Sequence, residues 1–145
     1  MNDLCADIGY NSMTKYGEQL CGDHIDIVED EENEITTLVL ADGLGSGVKA
    51  NILSTLTAKI ISTMMAQGLG IDDCVETIAE TLPVCSVRGV AYSTFTIIRL
   101  LQNSAAEIIQ YDNPDVILIR DGENYEFPKT TRTIRDKTIL FSHVN

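Results

Sequence analysis

A segment near the end of the first third of the chain has the residue types that bind a metal ion. The apolar run at 38–41 leads directly into Asp42, and positions 43–47 read Gly-Leu-Gly-Ser-Gly. Carboxylate and backbone carbonyl oxygens are the ligands that hard divalent cations prefer. Because Gly43 has no Cβ, its carbonyl can approach such an ion closely. The pattern therefore indicates a metal site at the end of a buried strand.

Two glycine-rich phosphate motifs do not fit this segment. A P-loop ends in Gly-Lys-Ser/Thr, but Val48 separates Gly47 from Lys49. A dinucleotide-binding fingerprint needs glycine where Val48 stands, and the runs upstream favour antiparallel strands over a βαβ unit. Neither motif is complete, so the metal interpretation is the one that remains.

One carboxylate rarely holds a divalent ion alone, and Asp23 is the partner that the strand pattern indicates. β-rich runs at 24–28 and 35–41 flank the acidic stretch 29–34, which predicts two antiparallel strands joined by a solvated loop. Asp23 lies at the start of the first strand and Asp42 at the end of the second. Antiparallel pairing brings those two ends together, so we expect the two carboxylates to converge.

The spacing of apolar residues changes twice along the chain. After Gly47 it becomes helical, which predicts a helix over 48–67 that ends at Gly68, and the capping pattern of Asp73 and Glu76 predicts a second helix over 73–82. β-rich runs then predict strands at 92–101, 106–111, 116–120, 125–127 and 138–141. This order indicates an α+β fold with antiparallel sheets and helices packed on a sheet face.

The overall composition is typical of a soluble globular protein. The 145 residues suffice for one domain, and 10 basic against 22 acidic residues give a formal charge of −12, which disfavours nucleic acid as a partner. No apolar run reaches the roughly 18 residues that span a bilayer, and residues 1–10 do not resemble a signal peptide. We therefore expect a cytoplasmic protein. The scattered cysteines indicate reduced thiols and no zinc site: Cys5, Cys21, Cys74 and Cys85.

Five motifs follow one another along the chain in an order that one protein family shares. They are Gly22-Asp23, the segment 41–47, the run 92–96, the turn 112–114 and Asp121-Gly122. In this order they resemble the metal-dependent protein phosphatases of the stage II sporulation protein E type, bacterial relatives of the type 2C phosphatases. The family often has Ala-Gly-His-Pro at the turn and methionine where Leu44 stands here, and the resemblance covers nearly the whole chain.

The resemblance implies an antiparallel β-sandwich flanked by helices and a centre of two Mg²⁺ or Mn²⁺ ions. In that centre Asp42 would bridge the ions, Gly43 would offer its carbonyl, and Asp23 would bind one ion directly or through water. The implied reaction is the hydrolysis of phosphoserine or phosphothreonine in a phosphoprotein, with water activated by the two ions and no covalent enzyme intermediate.

The resemblance also implies ligands that this sequence does not contain. The family takes further aspartates from a later Asp-Gly motif and from a position near its C-terminus, and neither Asp121 nor Asp136 matches those motifs. We expect residues 1–145 to be the N-terminal and central part of a single phosphatase-like domain, inactive without the rest. The alternative is a non-catalytic phosphatase-like module that binds or regulates a partner. The apolar stripes of the two helices leave room for a homodimer contact, although core packing explains them equally well.

Overall fold

The computed structural model describes residues 6–11, 22–43, 47–81, 84–85, 90–91, 94–102, 104–134 and 137–145. In chain order the elements are the strands β1 (Asp23–Asp30) and β2 (Ile35–Asp42), the helices α1 (Gly47–Ala66) and α2 (Ile71–Thr81), and the strands β3 (Val84–Cys85), β4 (Val90–Ala91), β5 (Thr94–Leu101), β6 (Ala105–Tyr111), β7 (Ile119–Arg120), β8 (Glu123–Asn124), β9 (Thr130–Ile134) and β10 (Lys137–Val144). Some sequence predictions lie outside the described residues: the helix end at 82, the strand start at 92–93, Cys5, Cys21 and Asp136.

Six strands form one sheet in the order β1-β2-β5-β6-β10-β9, and every neighbouring pair is antiparallel. Two further pairs, β3-β4 and β7-β8, make two-stranded sheets. The central strands β2 and β5 are rich in β-branched residues, which suit a pleated and buried surface. The predicted α+β class, with antiparallel strands and two substantial helices, is confirmed.

The two helices pack on one face of this sheet and form the main core there. Its fully buried members come from both layers: Val39, Ala41, Phe95, Ile97, Ile109 and Ile139 from the sheet, and Ala58, Ile61, Val75 and Ile78 from the helices. Because side chains alternate across a strand, the even-numbered residues of β2 point to the opposite face. We call these two surfaces the helix face and the open face.

Part of the open face is covered by the chain that follows β6. Ile108 and Val144 of the sheet pack there against Phe127, with Val116 and Leu118 at the edge of the cluster. Val116 donates its backbone N–H to the Gln110 side chain over 2.9 Å. This bond attaches residue 116 to the surface of the sheet, but it is not a backbone hydrogen bond between paired strands. The predicted strand at 116–120 is therefore wrong except for Ile119–Arg120, and the predicted strand at 125–127 is wrong. The sequence analysis also did not predict β9.

Local hydrogen bonds and residue types explain where each helix begins or ends. α1 ends in a Schellman motif, in which Leu69 and Gly68 donate to Met64 and Met65 over 3.1 and 3.0 Å, and Gly68 has a φ of +80°. Cys74 donates to the Gly70 carbonyl over 3.2 Å, so α2 begins two residues before the predicted start at Asp73. Asp73 lies inside the first turn, where its charge favours the helix dipole. None of the helices described is long and apolar enough to cross a membrane.

Candidate metal centre

The hairpin of β1 and β2 places Asp23 directly opposite Asp42. The two strands pair over their whole length, with four turn residues, 31–34, at the far end. One position further on, Gly43 donates its N–H to the Gly22 carbonyl over 2.9 Å. Hydrogen-bonded and non-hydrogen-bonded pairs alternate in an antiparallel ladder, so Asp23 and Asp42 form a non-hydrogen-bonded pair, the kind whose Cα atoms are only about 4.5 Å apart. The expected juxtaposition of the two carboxylates is present.

The electrostatics of this pair disfavour two full negative charges. Burial, the charge of Asp42 and a side-chain hydrogen bond with Asp42 together raise the pKa of Asp23 above its ordinary value of 3.8. Like charges directly opposite each other on a sheet are destabilising. A bound divalent cation would remove this repulsion, and carboxylates are the donors that Mg²⁺ and Mn²⁺ prefer. The pair therefore fits such an ion in kind and in charge.

Gly43 is buried between the sheet and the start of α1. A Cβ built on it would lie 2.1 Å from the carbonyl oxygen of Ala50 and 2.7 Å from the Ala50 Cα, which no side chain tolerates. The structure thus requires glycine here because the strand end and the helix backbone approach so closely. The predicted approach of its carbonyl to a metal ion stays a prediction.

Threonine and asparagine side chains continue the site beyond Asp42, and sequence reasoning did not identify them. Thr94 of β5 lies opposite Asp42 and donates its hydroxyl proton to Asn113 Oδ1. Asn113 Nδ2 donates in turn to Thr96 Oγ1 over 3.0 Å. The alternation of threonines with apolar residues at 94–97 was a visible signal that both hydroxyls share one face of the strand. The turn contact of Asn113 gave no comparable signal.

A groove of about 480 Å³ runs from this site along the open face. Asp23, Asp42, Thr96 and Asn113 stand at its polar part. Apolar side chains form most of the remaining wall: Ile25, Leu38, Leu40, Ile98, Pro114 and Val116. The site is therefore open on one side and bounded by apolar surface on the other.

His24, although adjacent to Asp23, belongs to the helix face. Its Nε2 lies 3.1 Å from Asp26 Oδ1, and the same carboxylate has Lys59 Nζ at 3.6 Å and Ser62 Oγ at 3.3 Å. This cluster joins β1 to α1 on the side of the sheet away from the carboxylate pair. Asp121 lies in the exposed turn between β7 and β8, also apart from the site.

The described residues supply only part of a two-ion centre. Among them, no group of three or more His, Cys, Asp or Glu side chains is close enough to hold one metal ion. Asp23 and Asp42 provide two carboxylates, and the buried backbone at Gly43 lies next to them. These groups are of the donor type that Mg²⁺ and Mn²⁺ prefer, but a centre of two ions requires further ligands.

Comparison with known proteins gives a family and a fold. The family model for stage II sporulation protein E (SpoIIE) matches residues 33–134, more than half of the chain. Among curated proteins no sequence matches.

Three solved structures have a similar fold. They are the PP2C phosphatase domain of SpoIIE from Bacillus subtilis (21% identity, TM-score 0.58, covering 70% of this chain and 30% of that one), RsbX in complex with magnesium (19%, 0.56, 71% and 48%), and the RsbU and RsbW domains of a Mycobacterium tuberculosis protein (19%, 0.52, 64% and 25%). This chain therefore spans less than half the length of each matched structure. Together with the family match, which includes β2, both helices and the Thr94–Asn113 network, this shows that the chain belongs to the stage II sporulation protein E family.

Proposed function

We propose that the chain is part of a metal-dependent protein phosphatase that hydrolyses phosphoserine or phosphothreonine in a phosphoprotein. The observation that carries the proposal is the in-register pair of Asp23 and Asp42 at one edge of the sheet, in a chain of this family. The like-charge repulsion in that pair supports a role in cation binding. One of the structures with a similar fold, RsbX, is described in complex with magnesium.

The three predicted ligands have distinct roles in this proposal. Asp42, with neighbours on both sides in the sheet, would bridge two Mg²⁺ or Mn²⁺ ions, and Asp23 on the edge strand would bind one of them. Gly43 would offer its carbonyl. Such ions supply Lewis-acid stabilisation of the phosphoryl oxygens and lower the pKa of water for in-line attack. The chain's own contribution is to hold two carboxylates at a fixed separation, which the continuous ladder of the hairpin provides.

Further ligands would come from outside these 145 residues. Two carboxylates hold hard cations weakly, because affinity rises with ligand charge and site rigidity. The matched structures are at least twice as long as the part that aligns with this chain. We therefore propose that residues 1–145 are the N-terminal and central part of one phosphatase-like domain, and that this part alone is inactive.

Composition and surface support further proposals about partners and location. The charge of −12 supports a partner other than nucleic acid, and we propose a cytoplasmic location for the protein. Three apolar side chains at four-residue steps on α1, Val48, Ile52 and Leu56, are 63%, 51% and 47% exposed. Side chains four residues apart lie on one side of a helix, so this surface supports the proposed homodimer contact.

A non-catalytic module is the second candidate. The observation in its favour is that the described residues contain no group of three or more potential metal ligands. A module of this kind would keep the fold and bind a partner without turnover. Activity measurements on the complete protein separate the two candidates.

The test is hydrolysis of a phosphoserine peptide by the complete protein, with Mn²⁺, with Mg²⁺ and with chelator. We expect activity only with a divalent ion, and a loss of several orders of magnitude in Asp42→Asn because a bridging carboxylate serves both ions. Asp30→Asn, at the far end of the same hairpin, is the matched control and should retain activity. Metal-independent turnover or an unimpaired Asp42→Asn variant would refute the phosphatase proposal. A folded protein that stays inert with every ion would favour the module.

A further inference from the structure

The two edges of the six-stranded sheet differ in their chemistry. β1, at one edge, contains four acidic residues among its eight: Asp23, Asp26, Glu29 and Asp30. β9, at the other edge, has the sequence Thr-Thr-Arg-Thr-Ile and contains no acidic residue. Within the described part of the chain no strand pairs with the outer side of β9, and residues 130–133 are all exposed. An edge strand of this kind presents backbone N–H and C=O groups to another extended chain.

Positive charge is concentrated in the sequence around β9. Positions 129–137 contain four of the ten basic residues of the chain and a single acidic residue. This is the reverse of the whole chain, in which 22 acidic residues stand against 10 basic ones. Lys129, the residue before β9, and Arg132 within it have side chains that are 31% and 50% exposed. A local excess of positive charge in an acidic protein favours an anionic partner at this edge.

Arg132 is held in place but keeps donors for a partner. Its Cζ lies 4.3 Å from the centre of the Phe141 ring, and its Nη1 donates to Asp72 Oδ1 over 2.7 Å. A guanidinium has five N–H donors, so this bond leaves others for a second carboxylate. Arg132 also borders a cavity of about 450 Å³, together with Thr130 and His143. A strand added beside β9 would direct every second side chain toward this face of the sheet.

We propose that β9 is a docking edge for an acidic, extended segment of another protein, which adds to the sheet as a further strand. Backbone hydrogen bonds to β9 supply affinity, and carboxylates bound by Arg132 and Lys129 supply the preference for an acidic sequence. This surface is separate from the candidate metal centre, since β9 is four strands from β2, or about 19 Å at the usual spacing between strands. The inference therefore does not rest on the proposed function.

A second copy of this chain is a poorer occupant of the β9 edge. Pairing β9 with β9 across a two-fold axis would bring two basic segments together, and their like charges would repel each other. Pairing β9 with the acidic β1 of a second copy would match the charges. That contact is head-to-tail, however, and it extends into an open filament unless the rotation between copies closes a ring. An acidic segment of a different protein has neither disadvantage.

The experiment measures the binding of fluorescent eight-residue peptides to the complete protein by anisotropy, with chelator present so that no divalent ion contributes. The probe alternates threonine with glutamate, and one control peptide has glutamine in place of every glutamate. We expect the glutamate peptide to bind at least about tenfold more tightly, because its bonds to Arg132 and Lys129 are charge-assisted. A second control has N-methyl groups on two adjacent central residues, which block one N–H on each edge of the peptide. It keeps all the charges and should bind at least about tenfold more weakly than the glutamate peptide.

Protein variants locate the binding surface. Arg132→Gln and Lys129→Gln should each weaken binding of the glutamate peptide about two- to fivefold, the usual effect of one exposed charge contact. Lys59→Gln removes the same charge from α1, where the side chain is 62% exposed, and should leave the dissociation constant unchanged. Hydrogen exchange of the backbone amides of Thr130–Ile134 should slow when the glutamate peptide binds.

Several outcomes would overturn the proposal. The acidic partner is excluded if the glutamate peptide does not bind or binds no better than the glutamine peptide, and backbone pairing is excluded if the N-methylated peptide binds as well. An equal loss of affinity in Lys59→Gln and Arg132→Gln would show general charge attraction and no site at β9. Protection of the β9 amides that rises with protein concentration, without peptide, would assign the edge to a second copy. Because Arg132→Gln also removes the contact to Asp72, Lys129→Gln and the peptide controls on wild type decide the matter should that variant not fold.

Discussion

Gly43 is a residue for which the structure gives a reason that the sequence pattern did not. Its backbone is not in a left-handed conformation, so conformational freedom is not the explanation. The explanation is contact, because the start of α1 crosses the end of β2 at the Gly43 Cα, with the Ala50 backbone where a side chain would be. The glycine next to Asp42 thus sets how closely the helix and the candidate site approach each other.

We predict that Gly43→Ala destabilises the protein by about 1–3 kcal/mol, the usual cost of forcing extra volume into a packed region. The clash is with helix backbone, which cannot rotate away as a side chain can. Equilibrium urea unfolding measures the effect. Gly9→Ala is the control, since nothing lies within 4 Å of its Cβ position and its change should stay within about 0.5 kcal/mol. Equal stability of the two variants would show that α1 does not pack against β2 as described.

At this scale the sequence predicted the pair of carboxylates and missed the network beside it. Asp23 and Asp42 could be predicted to meet because they sit at the two open ends of one hairpin, where local pairing alone fixes the geometry. Asn113 reaches Thr94 across 19 residues, through the register of β5 on β6 and the shape of the following turn. A contact that depends on two other elements leaves no periodic signal in the chain.

At the scale of elements, the edge strand β1 is attached to α1 by a polar cluster. Asp26 lies on the helix face of β1, with its side chain 16% exposed, and contacts Lys59 and Ser62 of α1. Edge strands lack a second neighbour, so side-chain contacts to a helix contribute to holding them in place. Asp23 lies on the other face of the same strand, so β1 connects the helix-face core to the candidate site.

We predict that Asp26→Ala lowers the free energy of unfolding by about 1–3 kcal/mol, because β1 loses its charged contacts to α1. Ser62 keeps only the longer hydrogen bond of 3.4 Å to the Lys59 carbonyl. Lys59→Met should cost less than about 1 kcal/mol, since an exposed ion pair is screened by water, and the Lys59 side chain is 62% exposed. Denaturant unfolding of both variants provides the comparison. Mn²⁺ affinity should stay the same in each, and a large loss of affinity in Asp26→Ala would contradict the separation of the two faces.

Elements with strong periodicity were predicted well, and those held by tertiary contacts were not. The β1–β2 hairpin and α1 follow from alternation and helical spacing, which act within a few residues. The segment 114–118 has the composition of a strand but packs as an irregular cover on the open face, because its backbone bonds to Gln110. β9 has the sequence Thr-Thr-Arg-Thr-Ile, without apolar alternation. It forms a strand by pairing antiparallel with β10, a tertiary contact that its own sequence does not indicate.

For the whole molecule, the charge of −12 opposes folding through self-repulsion, and Asp23 and Asp42 are two acidic residues that stand directly opposite each other in the ladder. Bringing like charges together lowers stability, and a cation at the proposed site would compensate for that loss. Monovalent salt screens the general repulsion over about 8–10 Å, whereas only a bound cation neutralises the pair itself. Salt and divalent ions should therefore act on stability in separable ways.

We predict that Asp23→Asn is more stable than wild type in chelator at neutral pH, by about 0.2–1 kcal/mol, the cost of like charges in opposed strand positions. Since the folded-state pKa of Asp23 is raised, the folded protein binds a proton more readily than the unfolded chain. The stability of wild type therefore falls as pH rises through the folded-state pKa, and the advantage of Asp23→Asn shrinks as pH falls toward 3.8.

Asp30→Asn is the control, because its pKa is shifted in the opposite direction: hydrogen bonds from Asn33 lower the pKa of Asp30. Removing the Asp30 charge should therefore give no gain in stability at neutral pH.

Mn²⁺ should reverse the order of stability of wild type and Asp23→Asn in the complete protein. Wild type would gain about 2.7 kcal/mol when the ion is present at a hundred times its dissociation constant, and Asp23→Asn should gain less at the same concentration, because it binds the ion more weakly. Thermal melts in chelator, in sodium chloride of equal ionic strength and in Mn²⁺ measure these three contributions separately. An equal shift of wild type and Asp23→Asn in Mn²⁺ would mean that the ion acts only by screening, and the carboxylate pair would then be a destabilising feature without a bound cation to explain it.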